Sequence, residues 1–161
     1  MIYFSFCIWY FIIENMTFVQ RRMRMDLTRF LRAQATDYTT ALSELRQGRK
    51  TSHWMWYIFP QLKGLGRSYT ADYFGISGLA EARAYVADPI LGPRLSEAAQ
   101  ALLMHPDKTA PEILGYTDAL KLRSSMTLFR EAAPEIPVFA QVLQTFFDGT
   151  SDTLTLRLLE K

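Results

Sequence analysis

The chain has 161 residues, of which 49% are hydrophobic and 21% charged, and a formal net charge of +2. This length and balance suit one folded domain, and they exclude a disordered chain and a pair of full-sized domains. Residues 1–25 hold three arginines and one glutamate, which leaves 15 basic and 15 acidic residues in residues 26–161. The body is therefore not a general polyanion binder. Cys7 is the only cysteine, so residues 26–161 hold no disulfide, cysteine nucleophile or cysteine-based zinc site.

Residues 1–25 form an apolar segment with a basic end, running from "MIYFSFCIWYFII" to "RRMRM". The apolar run is shorter than the roughly 20 residues that a membrane-spanning helix needs. Its positive charge follows the apolar run, whereas a secretory signal has the charge first. Two interpretations stay open: an over-long, dispensable start, with Met16, Met23 and Met25 as alternative initiation sites, and a weak interfacial membrane anchor. Any membrane contact is expected through this segment alone, and residues 26–161 are predicted to form a single helical domain.

From Asp26 onward, apolar residues recur at helical spacing and predict an all-α fold of about eight short helices. Capping residues and helix breakers mark ten candidate segments. The expected segments are "DLTRFLRAQ", Asp37 (as N-cap) to Gly48, "HWMWYIF" capped by Ser52 and closed by Pro60, "YTADYF" before Gly75, "GLAEARAYVAD", a helix starting at Pro89 and running to Pro106, "APEILG" capped by Thr109, residues 117–133, "EIPVFAQVLQTFFDG", and "SDTLTLRLLEK" capped by Ser151 or Asp152. Strand signals are weak, because the sequence has no alternating β-branched run and no Asn-Gly hairpin.

The stretch "SHWMWYIFPQLKGLGRS" lies in a region of one-sided charge. Between Glu44 and Asp72 there is no acidic residue, and five basic side chains alternate with five aromatic ones. They are Arg46, Arg49, Lys50, Lys63 and Arg67, with Trp54, Trp56, Tyr57, Phe59 and Tyr69. A planar anionic ligand such as a nucleotide needs this combination of stacking faces and cations. Gly64 and Gly66 would let the loop turn amide groups toward a ligand, and Ser68 could donate a hydroxyl, although the spacing is not that of a P-loop.

The aromatic helix in this stretch also has a purely structural interpretation. "WMWYIF" is apolar on every helical face, and large apolar residues are usually buried. Core positions are predicted for Trp54, Met55, Ile58 and Phe59. At helical spacing His53, Trp56 and Tyr57 would share one side, where either a ligand site or a core position is open. His53 is the candidate general acid or base, because its reference pKa lies near neutrality.

A second distinctive stretch is "KLRSSMTLF", residues 121–129. Lys121, Arg123 and Ser125 are candidate anion ligands, and Lys121 lies one helical turn from Ser124 or Ser125, which leaves a lysine-activated serine as an alternative. The alternative is an ordinary helix with its apolar residues buried and its cations solvated. His105 is expected to interact favourably with the dipole of its own helix. Two histidines and the absence of D-x-D, H-x-x-x-H or E-x-x-H spacing argue against a metal site, and no cofactor is expected.

Four segments carry a family resemblance: "SHWMWYIFPQLKGLGRS", "EARAYVADPILGPRL", "ALKLRSSMTLF" and "FFDGTSDTLTLRLL". In this order and spacing they resemble the bacterial domain-of-unknown-function family 1810, also called Rv1873-like, over about residues 26–159. The resemblance implies a mainly helical cytoplasmic protein without an established activity. Some members are labelled calpastatin, but nothing in this chain resembles a disordered, repeated protease inhibitor.

Two hypotheses of function follow. The first is a site for a small anionic or nucleotide-like ligand, enzymatic or not, which requires the two distinctive stretches to converge in space. Its ligand-binding residues would be Trp56, Tyr57, Gln61, Lys63, Gly64, Gly66, Arg67, Ser68, Lys121, Arg123 and Ser125, with His53 as the candidate catalytic residue. The second is a non-catalytic module that docks a protein or a nucleic acid through an exposed apolar or basic patch, although the neutral body gives no strong nucleic-acid signal. The sequence leaves the oligomeric state open.

Overall fold

Nine helices occupy residues 25–160, which are the residues that this computed structural model describes. They are α1 Thr28–Gln47, α2 Met55–Ile58, α3 Tyr69–Tyr73, α4 Leu79–Ala87, α5 Leu91–Leu102, α6 Ala110–Leu114, α7 Tyr116–Ala132, α8 Val138–Phe147 and α9 Thr153–Leu159. The predicted all-α class is confirmed. Except for Met25, the residues of the N-terminal extension lie outside the described range, and so do the expectations attached to them.

Helix α1 is one continuous helix of 20 residues, so the prediction of two helices meeting at Asp37 is wrong. The reason is a single buried stripe that passes through the expected break at spacings of three and four residues. Its members are Phe30, Gln34, Tyr38, Ala41 and Leu45. Tertiary packing along this stripe overrides the local capping preference of Asp37. The carboxylate of Asp37 instead accepts a hydrogen bond from the hydroxyl of Tyr57.

The C-terminus of α1 is held by residues from a distant loop. Gly48 ends the helix with a left-handed backbone (φ 66°), and a Cβ there would lie 2.9 Å from the His105 ring. His105 Nε2 donates to the Leu45 carbonyl at 2.9 Å, and Lys108 Nζ donates to the Gly48 carbonyl at 3.2 Å. The expectation for His105 is therefore corrected: α5 ends at Leu102, and His105 binds the carbonyl end of α1.

Two predicted helix starts are also wrong. Helix α2 begins at Met55, and the hydroxyl of Ser52 binds Glu44 Oε1 at 2.5 Å instead of capping the helix. Helix α5 begins at Leu91, two residues after Pro89. The carboxylate of Asp88 accepts hydrogen bonds from two free backbone N–H groups at this start, at 2.9 and 3.0 Å. In both cases a carboxylate accepts hydrogen bonds from groups near the helix start: the Ser52 hydroxyl binds Glu44, and two backbone N–H groups bind Asp88.

Two other predicted caps are confirmed. Thr109 and Glu112 form a reciprocal capping box at the start of α6. At α9, Asp152 accepts a hydrogen bond from the backbone N–H of Thr155 at 2.8 Å. These starts follow local sequence rules because each cap residue is hydrogen-bonded to the residue three positions further along the chain.

Helix α7 lies at the centre of the fold and packs against α4, α6, α8 and α9, while α1 packs against α2 and α5. The two groups meet where α5 packs against α4 and α8, and the backbone N–H of Lys50 also donates to the Ile113 carbonyl at 2.7 Å. This hydrogen bond places the loop between α1 and α2 beside the α6–α7 junction. As a result, residues near position 50 lie beside the first turns of α7.

In the stretch from Met25 to Glu160, no helix is both long enough and apolar enough to cross a membrane.

Candidate functional site

The carboxylate of Glu44 organises the segment that precedes α2. It accepts five hydrogen bonds: from the backbone N–H groups of Thr51 (2.8 Å) and Ser52 (3.1 Å), from their hydroxyls (2.7 and 2.5 Å), and from Trp54 Nε1 (2.8 Å). Burial alone would raise the pKa of Glu44, but the hydrogen bonds from Ser52 and Thr51 outweigh it and lower that pKa to about 2. The charged carboxylate therefore ties the backbone of Thr51 and Ser52 and the indole of Trp54 to helix α1.

A chain of charged and aromatic side chains runs from this segment to α7. Lys50 Nζ lies 5.1 Å from the ring centroid of Trp54 and 2.8 Å from Asp118 Oδ2. The other carboxylate oxygen of Asp118 accepts from Lys121 Nζ, also at 2.8 Å. Lys121 Nζ in turn lies 4.5 Å from the ring centroid of Trp56. Asp118 thus bridges two lysines, and each lysine ammonium covers one tryptophan ring.

This lysine–aspartate–lysine cluster is largely withdrawn from solvent. The side chains of Lys50, Asp118 and Lys121 are 9%, 17% and 21% exposed. Burial would raise the pKa of Asp118, yet the hydrogen bonds from Lys121 and Lys50 lower it, so the carboxylate is charged at neutral pH. The three groups together carry one excess positive charge in an environment where solvent screening is weak.

The two distinctive stretches of the sequence touch at this cluster. Trp56 belongs to α2 and Lys121 to α7, and their contact joins positions that are 65 residues apart. Trp56 is half-buried and packs against the core. The accessible surface combines an aromatic ring with an ammonium group.

The other candidates on α7 point in different directions. Arg123 donates to the backbone carbonyls of Thr150 (3.0 Å) and Ser151 (2.8 Å), which ties the start of the C-terminal segment to α7. Ser125 is fully buried in the core. Arg123, two positions after Lys121, lies on a different face of the helix, and Ser125, one turn after Lys121, is buried in the core, so only Lys121 of the three reaches Trp56.

The aromatic segment divides into core and surface. Burial of Trp54, Met55, Ile58 and Phe59 is confirmed. Tyr57 is buried as well, and its hydroxyl binds Asp37 and the carbonyl of His53. Because α2 begins only at Met55, helical spacing does not extend back to His53, whose side chain is exposed. Trp56 is therefore the aromatic residue of α2 whose ring is available at the surface.

The loop after α2 is fixed by its own contacts. Gln61 and Lys63 exchange backbone hydrogen bonds with Ile76, at 2.9 and 2.8 Å, around a short bridge. The Lys63 ammonium lies 3.3 Å from an Asp72 oxygen, and both side chains are exposed. Ser68 caps α3 by accepting from the Ala71 N–H at 3.1 Å. The loop backbone is thus anchored at both ends.

Two glycines and one arginine of the same loop, Gly64, Gly66 and Arg67, are exposed to solvent. Gly64 has a left-handed φ of 94°, which favours glycine for conformational reasons. A Cβ on Gly66 would lie 2.4 Å from the Ala71 Cβ, so glycine is also needed there for close packing. The side chain of Arg67 is exposed. The glycines therefore have a structural role in the loop whether or not the loop binds a ligand.

Sequence reasoning missed the importance of Glu44, Lys50 and Asp118. The spacing of Asp118 and Lys121 at i, i+3 was a visible signal of an ion pair on one helix face. In the sequence Lys50 is one of several cations, and Glu44 is the last acidic residue before a basic stretch. The partner of Lys50 comes from a helix 68 positions further along, a contact that no local pattern predicts.

The charged groups at this site suit an anion. Between Met25 and Glu160, no three His, Cys, Asp or Glu side chains are grouped so that they could hold a metal ion. The ammonium of Lys121 uses one donor for Asp118 and lies beside an aromatic ring. A lysine ammonium has three donors, so it can contact a further acceptor.

The architecture and site define an all-α protein with a half-buried lysine–aspartate–lysine cluster beside an accessible indole. Residues 24–159 match the family described as "Protein of unknown function (DUF1810)", and the chain belongs to this family. Among solved structures it is similar to the conserved hypothetical protein Rv1873 from Mycobacterium tuberculosis. That match has 46% sequence identity and a TM-score of 0.83, and it covers 84% of this chain and 97% of the other. The comparison with curated proteins gave no match. These relatives confirm the family and leave the function to be argued from the site.

Proposed function

We propose that the protein binds a small, planar, anionic molecule of nucleotide-like character at the surface formed by Trp56 and Lys121. The observation that supports this most directly is the 4.5 Å separation between the Lys121 ammonium and the Trp56 ring centroid. A planar ligand that contacts the indole brings its negative group within reach of that ammonium. Trp56 then stacks on the ring of the ligand, and the neighbouring Lys121 pairs with its negative group.

Preorganisation favours binding at this place. Asp118 fixes the position of Lys121, and Lys50 fixes Asp118 from the opposite side. Glu44 holds the backbone that leads into α2 and thereby the position of Trp56. A ligand that finds its contacts already ordered loses less conformational entropy on binding.

The remaining candidates form the outer part of the proposed site. His53, exposed three residues before Trp56, is kept as the candidate general acid or base. The half-buried Gln61 and the loop after it would supply further polar contacts, from Lys63, Gly64, Gly66, Arg67 and Ser68. Tyr57 and Ser125 are buried, and Arg123 is engaged with backbone carbonyls, so these three are not part of the proposed site.

A thermal-shift screen of the full chain against nucleotides, sugar phosphates and aromatic acids tests this proposal. A ligand that binds the native state raises the melting temperature by mass action. Trp56→Leu and Lys121→Gln should each abolish the rise measured against the variant's own ligand-free melting temperature. Arg123→Gln is the matched control, because it removes a cation from the same helix and should leave the rise intact. A rise that persists in both site variants would place the ligand elsewhere.

A second candidate function, a docking surface for a protein or nucleic acid, is favoured by a separate observation. Tyr69 and Tyr73 on α3 are 83% and 48% exposed, and their rings stack with centroids 6.0 Å apart. The exposed Arg67 lies just before them in the chain. Exposed stacked aromatic rings next to a cation can receive unpaired bases or aromatic side chains. Titration of a labelled single-stranded oligonucleotide with the wild-type protein and with Tyr69→Ser tests whether this surface docks a nucleic acid. If both proteins bind the oligonucleotide equally weakly, nucleic-acid docking at Tyr69 is excluded.

A further inference from the structure

The charge around Trp56 limits what the proposed site can hold. Lys121 and Lys50 each lie 2.8 Å from an oxygen of Asp118, so the three groups carry one excess positive charge. The nearest further carboxylate along this chain of contacts is Glu44, which binds Trp54 Nε1. Including Glu44 lowers the local sum to zero. The site therefore has little charge with which to balance several phosphates.

Several other cations that the sequence groups with this region are engaged elsewhere, and no contact among the described residues places the exposed Arg49 or Arg67 beside Trp56. Arg123 donates to the carbonyls of Thr150 and Ser151, and Lys63 pairs with Asp72. A polyphosphate is normally bound by several cations or by a row of backbone amides. The contacts at Trp56 supply one accessible ammonium, on Lys121.

We infer that the site takes a planar aromatic molecule with a single negative charge, such as an aromatic carboxylate or a phosphodiester, and discriminates against polyphosphates. This inference rests on the proposed function and specifies its ligand class. The first negative charge of a ligand is attracted by Lys121. A second one would approach Asp118, whose carboxylate shares the same ammonium and is only 17% exposed. Repulsion between like charges is strong where solvent screens them poorly.

The test uses the full chain and a series of probes that share one ring system and differ in charge: adenosine, adenosine 3′,5′-cyclic monophosphate, AMP and ATP. A second pair, 2-naphthoate and 2-naphthyl phosphate, repeats the comparison without a sugar. Titration calorimetry at low ionic strength gives each dissociation constant. We expect the singly charged member to bind tightest in each set, with ATP at least about tenfold weaker than the cyclic monophosphate.

The outcomes separate the inference from the proposed function. Tightest binding by AMP, ATP or the naphthyl phosphate would overturn the charge limit and leave the proposed ligand site standing. No binding by any probe, together with an unchanged Trp56 environment, would overturn both. Tightest binding by the neutral adenosine would show that Lys121 does not select for charge, which also contradicts the inference.

Asp118→Asn provides an independent readout. This substitution removes one negative charge from the site and should shift the preference from singly toward doubly charged probes by about fivefold or more. Glu135→Gln is the control, because it removes the same charge from an exposed turn after the far end of α7. A preference that is unchanged in a folded Asp118→Asn variant would contradict the role of Asp118. If that variant does not fold, the probe series on the wild-type chain still decides the inference.

Discussion

Trp54 donates its indole Nε1 to Glu44 at 2.8 Å, and both side chains are buried. Two residues later the chain presents Trp56 with its indole half-accessible. Trp54 is therefore buried and anchors the segment, whereas Trp56 is partly exposed at the surface. This division explains how a stretch that is apolar on every face can be both core and candidate site.

Replacing Glu44 should destabilise the protein strongly. Glu44→Ala leaves the buried Trp54 N–H and the backbone donors of residues 51 and 52 without their acceptor, which should cost about 3 kcal/mol or more. Glu44→Gln keeps an oxygen acceptor but loses the charge, so we expect a cost of about 1–2 kcal/mol. Urea unfolding followed by tryptophan fluorescence measures both. If neither Glu44→Ala nor Glu44→Gln lowers the free energy of unfolding measurably, the five hydrogen bonds contribute little net stability.

Glu44 should also make the protein acid-sensitive. The pKa of this carboxyl is lowered from 4.5 to about 2 in the folded chain, so its charged form is stabilised by folding. That stability is fully present above the unfolded pKa and is lost as the pH falls through 4.5 toward 2. Urea midpoints compared between about pH 6 and about pH 3 should fall less in Glu44→Gln than in wild type. If the urea midpoint falls by the same amount in wild type and in Glu44→Gln, the acid sensitivity does not come from Glu44.

Gly92 should be intolerant of any side chain. A Cβ at this position of α5 would lie 2.0 Å from the Val86 carbonyl oxygen on α4, a backbone atom that cannot move alone. We expect Gly92→Ala to destabilise the fold by about 2 kcal/mol or more. Gly78→Ala is the matched control: a Cβ there meets nothing within 4 Å, and its cost should stay within about 1 kcal/mol. Thermal melts measure both variants, and equal melting temperatures for Gly92→Ala and Gly78→Ala would contradict the predicted clash at Gly92.

Arg123 should act on the C-terminal helix. Its guanidinium holds the carbonyls of Thr150 and Ser151, just before α9 begins. Arg123→Gln should cost about 1–2 kcal/mol and speed amide exchange in residues 151–159. Arg130→Gln, which removes a surface ion pair from the same helix, should cost less than about 0.5 kcal/mol. Hydrogen exchange read by mass spectrometry distinguishes the two, and unchanged protection in Arg123→Gln would remove its proposed structural role.

The fold class was predictable because helical spacing and caps recur along the whole chain. The capping box at Thr109 and the Asp152 cap depend on neighbours within three residues, and local rules found both. The single helix α1 was missed because its continuity depends on a buried stripe packed against other helices. The start of α2 was missed for a similar reason, since Ser52 binds Glu44 and not the helix.

The candidate site was only partly predictable. Sequence spacing drew attention to Trp56 and Lys121 separately, and the structure places them in contact. The ion pair between Lys50 and Asp118 depends on the loop between α1 and α2 meeting helix α7, which one sequence without tertiary information does not reveal. Arg123 and Ser125 follow Lys121 closely in sequence, but Arg123 lies on another face of the helix and Ser125, one turn along, is buried in the core.

The most direct test of the central claim is a two-dimensional nitrogen–proton spectrum of the full chain, recorded while 2-naphthoate or adenosine 3′,5′-cyclic monophosphate is added. The indole N–H signals of Trp56 and Trp54 are assigned by substitution, and Trp54, bound to Glu44, serves as an internal control. We predict a saturable shift of the Trp56 signal, a much smaller shift of the Trp54 signal, and loss of the effect in Lys121→Gln. A Trp56 signal that does not move with any anionic aromatic probe would contradict the proposed site.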